Sequence, residues 1–244
     1  MRLREIRLER FRNHAMTAIE CAERQNVFLG NNGEGKTNIL EAISFLCLTK
    51  SFYAASDATV AQLGEKGFAV SGDAVSDIDV GYRIAVSYEV ESREKSIIIN
   101  QSPVDNRSSV IGMFPVVVLS PENGSVTAGT PSDRRRFIDI VISQSSREYL
   151  EELIEYRRIL RQRNRILFDT KISQRDALDV LEPWNEELVQ CGAQIVLRRA
   201  RFVGEFRQYL VDAFIHIAGE LELPSIVYDP SFPIDVNASA DEIR

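Results

Sequence analysis

Residues 30–37 read Gly-Asn-Asn-Gly-Glu-Gly-Lys-Thr and satisfy the pattern G-x-x-x-x-G-K-[ST]. In a chain of this length and composition, a chance match is expected roughly 0.0016 times. The apolar run Asn26–Leu29 precedes the loop, and a helical pattern follows it to about Leu48. This order of strand, glycine-rich loop and helix predicts an α/β domain built around a phosphate-binding loop.

The residue types in the loop match the chemistry of a nucleotide phosphate. Glycine lets backbone N–H groups surround a phosphate without side-chain clashes, and the following helix directs the positive end of its dipole at the same group. The ammonium of Lys36 would neutralise β- and γ-phosphate oxygens, and the hydroxyl of Thr37 would bind Mg²⁺. The predicted nucleotide-binding residues are Gly30, Asn31, Asn32, Gly33, Glu34, Gly35, Lys36, Thr37 and Asn38.

The composition is that of an ordinary globular protein, with 244 residues of which 44% are hydrophobic and 27% charged. The longest apolar runs, Ala42–Leu48 and Phe114–Leu119, are far shorter than the roughly 20 residues that a membrane span needs. The start Met1–Arg7 mixes charges and does not resemble a secretion signal. Three scattered cysteines fit a reducing compartment. We expect a cytoplasmic protein without a membrane segment.

The charge and the histidine content argue against several classes of function. Only His14 and His216 are present, which argues against a histidine-based metal site or a catalytic triad. The net charge of −7 argues against a wholly basic nucleic-acid coat. All but five of the 29 basic residues are arginine, the side chain better suited to bidentate phosphate contacts.

Hydrophobic patterns outline two lobes. Alternation over residues 80–88 predicts a half-buried strand, with Ile97–Ile99 as its hairpin partner. The β-branched run Phe114–Leu119 predicts a central strand covered on both faces. We therefore predict a mixed sheet flanked by helices over residues 1–130.

The pattern turns helical after Thr130, where Thr-Pro-Ser-Asp at 130–133 is typical of a helix start. Residues 131–221 are predicted to form an inserted, mostly helical second lobe. Residues 222–244 are predicted to return to the first lobe, beginning with a strand over Leu223–Tyr228.

Several stretches together resemble the RecF family, the bacterial recombination-repair ATPases related to SMC-type heads. These stretches are Leu8–Asn13, Gly30–Ile43, Val118–Glu122, Gly129–Asp139, Tyr156–Asn164 and Trp184–Leu188. The resemblance implies an ABC-type ATPase half-head that binds ATP with Mg²⁺. It also implies that Arg12 and Asn13 reach the nucleotide, and that Ser120 and Glu122 occupy the Q-loop position. A surface turn and a plain strand-ending turn are the respective alternatives.

The resemblance further implies a DNA-binding protein of replication, recombination and the SOS response to DNA damage. Such a protein would form an ATP-dependent homodimer on single-stranded, gapped or junction DNA and assist RecA loading with RecO and RecR. The signature motif and the Walker B acid pair of the family are not found in this sequence, and Asp229, followed by Pro230, is interpreted as a turn residue. We expect the chain to match the N-terminal two-thirds of the family, to leave a sheet edge uncovered, and not to hydrolyse ATP by itself.

The predicted helical lobe carries an arginine cluster with two interpretations. The cluster comprises Arg157, Arg158, Arg161, Arg163 and Arg165. It is either a solvated face paired with acids such as Glu151 and Glu155, or a surface for DNA phosphates.

Two other functions stay open from the sequence. One is a different SMC-like ATPase head whose helical lobe docks a protein partner; a preference for gapped over blunt DNA would argue against it. The other is a nucleotide or small-molecule kinase, which phosphate transfer to nucleosides would reveal.

Overall fold

The computed structural model describes residues 1–52, 54, 56–120, 124–168, 174–219 and 223–231. The chain divides into two compact units, Met1–Asn123 and Gly124–Arg244. The first unit joins a β-sheet to one long helix, and the second is helical. The predicted α/β class with a helical second lobe is confirmed. No helix of the described residues is both long and apolar enough to cross a membrane.

The six strands of the first unit form one sheet in the order β2-β1-β3-β4-β5-β6. The strands are β1 Arg2–Phe11, β2 His14–Glu20, β3 Gly67–Val75, β4 Gly81–Glu89, β5 Lys95–Ile99 and β6 Ser102–Pro103. Every pairing among these strands is antiparallel. Val86 lies opposite Ile97, which confirms the predicted hairpin.

Helix α1, Lys36–Leu48, packs against one face of this sheet. Alternation along the strands places apolar side chains on that face. The fully buried members of the cluster include Ile6, Leu8, Ala42, Phe45, Val70 and Val86. Phe11, Phe45 and Phe68 meet edge to face with ring centroids 5.2–5.7 Å apart. The helix that follows the glycine-rich loop is therefore anchored to the sheet.

Two predicted strands are not formed among the described residues. The stretches 26–29 and 115–119 are in no strand. Val27 and Leu29 are 67% and 88% exposed, and Val117 and Leu119 are 91% and 90% exposed. A strand needs a neighbouring backbone for its N–H and C=O groups, and no described strand pairs with either stretch. The predicted mixed sheet around the loop is thus replaced by an antiparallel sheet beside two uncovered apolar stretches.

The second unit consists of helices α2 Ser125–Ala128, α3 Pro131–Ser145, α4 Arg147–Phe168 and α5 Gln174–Ala218. Tyr149 of α4 lies near Arg199 of α5, and Arg163 of α4 near Asn185, so the two helices run antiparallel. The predicted helix start is confirmed, because Thr130 and Asp133 form a reciprocal capping box at α3.

A buried polar cluster joins three of these helices. The carboxylate of Asp139 accepts hydrogen bonds from the Tyr149 hydroxyl at 2.5 Å and from Arg199 Nε at 2.9 Å. The Asp139 and Arg199 side chains are 8% and 13% exposed. Buried charges are tolerated when paired in this way, so this cluster fixes the relative positions of α3, α4 and α5.

Residues 223–231 form no strand, contrary to the strand predicted over Leu223–Tyr228. Ile226 and Tyr228 instead pack against the buried cluster of the second unit. Arg207 of α5 also donates to the Ile226 carbonyl at 3.3 Å. This segment therefore contacts the helices of the second unit.

Candidate nucleotide-binding site

The loop at residues 30–37 depends on three glycines with positive φ. Gly30, Gly33 and Gly35 have φ of 149°, 88° and 95°, where other residues are strained. A Cβ at Gly35 would also lie 2.4 Å from Asn13 Oδ1 and 2.5 Å from His14 Nε2. Glycine is required at this position for its backbone conformation, and side chains of the β1–β2 turn pack closely against it.

The loop leads into an uncapped helix N-terminus. Helix α1 begins at Lys36, its N-cap is Gly35, and no side chain caps its first N–H groups. Free N–H groups and the helix dipole favour an anion at this end. Thr37 lies exposed in the first turn, and Asn32 lies exposed in the loop.

Lys36 folds back over the loop. Its Nζ donates to the carbonyl oxygens of Gly30 at 2.8 Å and Asn31 at 2.6 Å. The sequence predicted that this ammonium serves the phosphate site, and the structure places it beside the loop backbone.

Glu34 makes a contact that the sequence did not reveal. Its carboxylate accepts hydrogen bonds from the Asn31 backbone N–H at 2.9 Å and the Asn31 side-chain amide at 3.0 Å. A Cβ at Gly30 would lie 2.1 Å from Glu34 Oε2. The Glu34 carboxylate therefore accepts a hydrogen bond from a loop N–H group that could otherwise bind a phosphate.

The β1–β2 turn contacts the loop through Asn13 and His14. Asn13 Nδ2 donates to the Gly33 carbonyl at 3.1 Å and its Oδ1 accepts from Asn38 Nδ2 at 2.8 Å. His14 Nε2 lies 3.2 Å from the Gly35 carbonyl. The structure thus brings the predicted residues Asn13 and Asn38 together at the loop and adds His14.

Arg12 contacts helix α1 rather than the loop backbone. Its guanidinium donates to both carboxylate oxygens of Glu41, at 2.7 and 2.8 Å, and to the Thr59 carbonyl at 2.9 Å. Glu41 is 2% exposed and also accepts from the Ser51 hydroxyl. The only sequence signal for this buried pair was a glutamate among apolar residues of α1. The nucleotide role of Arg12 stays a prediction.

An open cleft of about 620 Å³ lies beside the loop. Arg12, Asn13 and Asn38 form its wall on the side of the β1–β2 turn and α1. The other lining residues are 58–59, 61–65 and Val90. The cleft is therefore continuous with residues that contact the glycine-rich loop.

One of the two predicted Q-loop positions, Ser120, lies among the described residues. Ser120 is partly exposed at the end of the uncovered stretch 115–119. Glu122 lies outside the described residues.

The arginine cluster of α4 is divided between paired and exposed side chains. Arg158 binds the Glu155 carboxylate, as one interpretation predicted, and also lies over the Trp184 ring at 5.7 Å. Within the part of the chain that the structure describes, Glu151 pairs with Arg147 and not with the cluster.

The other members of the arginine cluster differ in their contacts. Arg163 Nε donates to Asn185 Oδ1 at 2.8 Å, and an Arg157 nitrogen lies 3.6 Å from the Asp139 carboxylate. Arg161 and Arg165 are exposed, and Arg161 Nε donates to the Arg157 carbonyl.

Comparison with known proteins assigns the chain to a class. The family described as an AAA domain matches residues 5–191. Together with the glycine-rich loop at the N-terminus of α1, this match defines the chain as a P-loop domain of the AAA class.

Sequence and structural relatives identify the family more closely. The chain is 38% identical to the DNA replication and repair protein RecF of Chlorobium luteolum over 245 residues, covering all of this chain and 66% of that protein. It is also 38% identical to RecF of Salinibacter ruber, again over the whole chain and 59% of the relative. A solved structure of the recombination mediator protein RecF with ATP in the RecFOR pathway superposes with a TM-score of 0.88 and 27% identity, covering 99% of this chain and 65% of that one. The chain belongs to the RecF family and spans about three fifths to two thirds of the length of these relatives.

Proposed function

We propose that this chain binds ATP with Mg²⁺ at residues 30–38, as the nucleotide-binding part of a DNA replication and repair protein. The geometry of the loop carries the proposal: three glycines with positive φ lead into an uncapped helix N-terminus with Lys36 beside it. The relatives support it because one solved RecF structure holds ATP.

Each part of the loop has a distinct task. The backbone N–H groups and the Lys36 ammonium bind the β- and γ-phosphates, and the Thr37 hydroxyl is the protein ligand of Mg²⁺. When bound, Mg²⁺ neutralises part of the phosphate charge. The adjoining cleft, with Asn13 and Asn38 at its edge, accommodates the base and ribose.

Equilibrium binding of fluorescent ATP with Mg²⁺ tests this proposal, with phosphate release followed in the same samples. Lys36→Ala is compared with the unaltered chain and with Lys50→Ala, the same change at an exposed lysine. Charged hydrogen bonds contribute about 1.5–3 kcal/mol, so Lys36→Ala is expected to weaken binding roughly 10- to 150-fold. Equal affinity of Lys36→Ala and the unaltered chain would overturn the site, and phosphate release would show that a catalytic carboxylate lies within this chain.

We extend the proposal to the complete protein: an ATP-dependent homodimer that binds gapped or junction DNA in the cytoplasm and assists RecA loading with RecO and RecR. The names of the relatives and the RecFOR pathway of the solved structure support this assignment. Binding of gapped, single-stranded and blunt duplex DNA of equal length tests it. Equal affinity for gapped and blunt DNA would favour a different SMC-like head.

The arginine cluster of α4 is proposed as one contact with DNA. Arg161 and Arg165 are the suitable pair to alter, because Arg163 is hydrogen-bonded to Asn185 and its loss would also disturb helix packing. Removing two phosphate contacts lowers the slope of log affinity against log salt by about 2. If Arg161→Ala with Arg165→Ala leaves affinity and slope unchanged, the cluster has no role in DNA binding.

A further inference from the structure

A second cleft of about 700 Å³ lies in the first unit, and strands β3, β4 and β5 contribute to its wall. It shares no lining residue with the cleft beside the glycine-rich loop. Its cations are Arg10, Lys66, Arg93, Lys95 and Arg107. The first unit as a whole has more acidic than basic residues, so this cleft is a local reversal of charge.

Lys95 is a structural member of this set. Its side chain is 3% exposed, its Nζ lies 2.5 Å from the Asp57 carboxylate, and it donates to the Thr49 carbonyl at 2.6 Å. Burial lowers the pKa of Lys95, and the nearby Asp57 partly offsets this effect. The Lys95 ammonium is therefore used in contacts with residues outside the cleft lining and offers no free charge to a ligand.

The other four cations are exposed to solvent. Within the described residues, none of them forms an ion pair with a carboxylate, whereas Arg7 and Arg83 on the same sheet pair with Glu5 and Asp73. Two carboxylates also line the cleft, Glu89 and Glu94. Four exposed cations against two carboxylates leave an excess of positive charge.

Small residues of three neighbouring strands line part of the cleft, and two of them carry hydroxyl groups; the aromatic residues Phe68 and Tyr88 line it as well. Ala69 lies opposite Ser87, and Ser87 lies opposite Ser96, across neighbouring strands. Ser87 and Ser96 are exposed. Short side chains permit close approach of a ligand, and hydroxyl groups and guanidinium groups both donate to phosphate oxygens.

We propose that this basic cleft binds the phosphate backbone of DNA. The assignment rests on the proposed DNA-binding function and adds a contact surface separate from the arginine cluster of α4. Three of the four exposed cations are arginine, whose planar guanidinium matches two phosphate oxygens at once. A chain of phosphates also satisfies several dispersed cations together, which one small anion does not.

Fluorescence anisotropy with a labelled gapped duplex tests the proposal on the full chain. The salt concentration is varied over about 0.05–0.5 M, a range in which the Debye length falls from about 14 Å to about 4 Å. The variant is Lys66→Glu with Arg93→Glu. The control is Arg4→Glu with Arg24→Glu, which makes the same charge change at exposed residues that do not line the cleft. Binding of ATP and the thermal unfolding midpoint are measured for each variant to show that it is folded.

The cleft variant is expected to lower the salt slope by about 2, which corresponds to roughly 60-fold weaker binding at 0.1 M salt if the curves meet at 1 M. The control is expected to stay within about threefold of the unaltered chain. If the unaltered chain binds DNA, and the cleft variant has the same affinity and salt slope as the control, the cleft assignment is wrong while the proposed function stands.

Two other results would also overturn the assignment. No DNA binding by the unaltered chain would overturn the cleft assignment and leave the proposed ATP site standing. If the cleft variant loses binding to a polyglutamate peptide that the unaltered chain binds, but keeps its affinity for DNA, the cleft binds an acidic protein segment instead.

Discussion

Glu34→Gln is expected to increase the affinity for ATP. The Glu34 carboxylate holds the Asn31 N–H group at 2.9 Å, within the loop that is proposed to surround the phosphates. Two negative charges about 4 Å apart repel by about 1 kcal/mol in water and more in a less polar site. Glutamine keeps the size of the side chain and removes the charge, so the dissociation constant should fall about fivefold.

The assay is a titration with fluorescent ATP and Mg²⁺ at two salt concentrations. Glu20→Gln is the matched control, because β2 begins at His14 beside the loop and Glu20 lies six residues further, about 20 Å away. Since the site is exposed, the gain for Glu34→Gln should shrink at high salt. An affinity equal to that of the control, or a gain independent of salt, would refute an electrostatic role of Glu34.

Three further predictions concern stability and reactivity. Asp139→Ala should lower the free energy of unfolding by about 3–5 kcal/mol, because Arg199 would keep a buried, unpaired charge; a loss below about 1 kcal/mol in urea unfolding would contradict this. Thr130→Ala removes the capping box with Asp133 and should cost about 1 kcal/mol in the same assay, whereas no loss would mean that the first turn of α3 needs no cap. Burial raises the pKa of Cys47 to about 11 from an ordinary value near 9. Iodoacetamide should therefore label Cys47 roughly 100-fold more slowly in the native than in the unfolded chain at pH 8. The labelling rate of the native chain should rise about tenfold per pH unit up to about pH 11. Equal rates in the native and unfolded chains would disprove the shift.

Local patterns in the sequence predicted the local structure correctly. The glycine spacing and Lys36 identified the loop, because the pattern directly encodes backbone freedom and charge. Alternation identified the β4–β5 hairpin, and Thr130 with Asp133 identified the start of α3. Each of these features depends on residues close together in the chain.

Features that depend on distant partners were missed or misjudged. The apolar stretches at 26–29 and 115–119 have the composition of buried strands, but whether they form strands depends on a neighbouring backbone that no local pattern specifies. The Arg12–Glu41 pair joins residues 29 positions apart, and its geometry follows only from how α1 packs on the sheet. The contact of Glu34 with the Asn31 N–H was missed for another reason: the motif leaves position 34 unrestricted.

The Arg12–Glu41 pair has a thermodynamic consequence for the site beside it. The Glu41 carboxylate already accepts hydrogen bonds from Arg12 and Ser51, and the Arg12 guanidinium also donates to the Thr59 carbonyl. Helix α1 and the cleft wall are therefore joined before any ligand binds. A preorganised site loses little backbone entropy when it is filled. The rearrangement that remains is confined largely to the side chains of Glu34 and Lys36, which leave their contacts with the loop. Affinity is then determined by the exchange of these few hydrogen bonds rather than by the ordering of a loop.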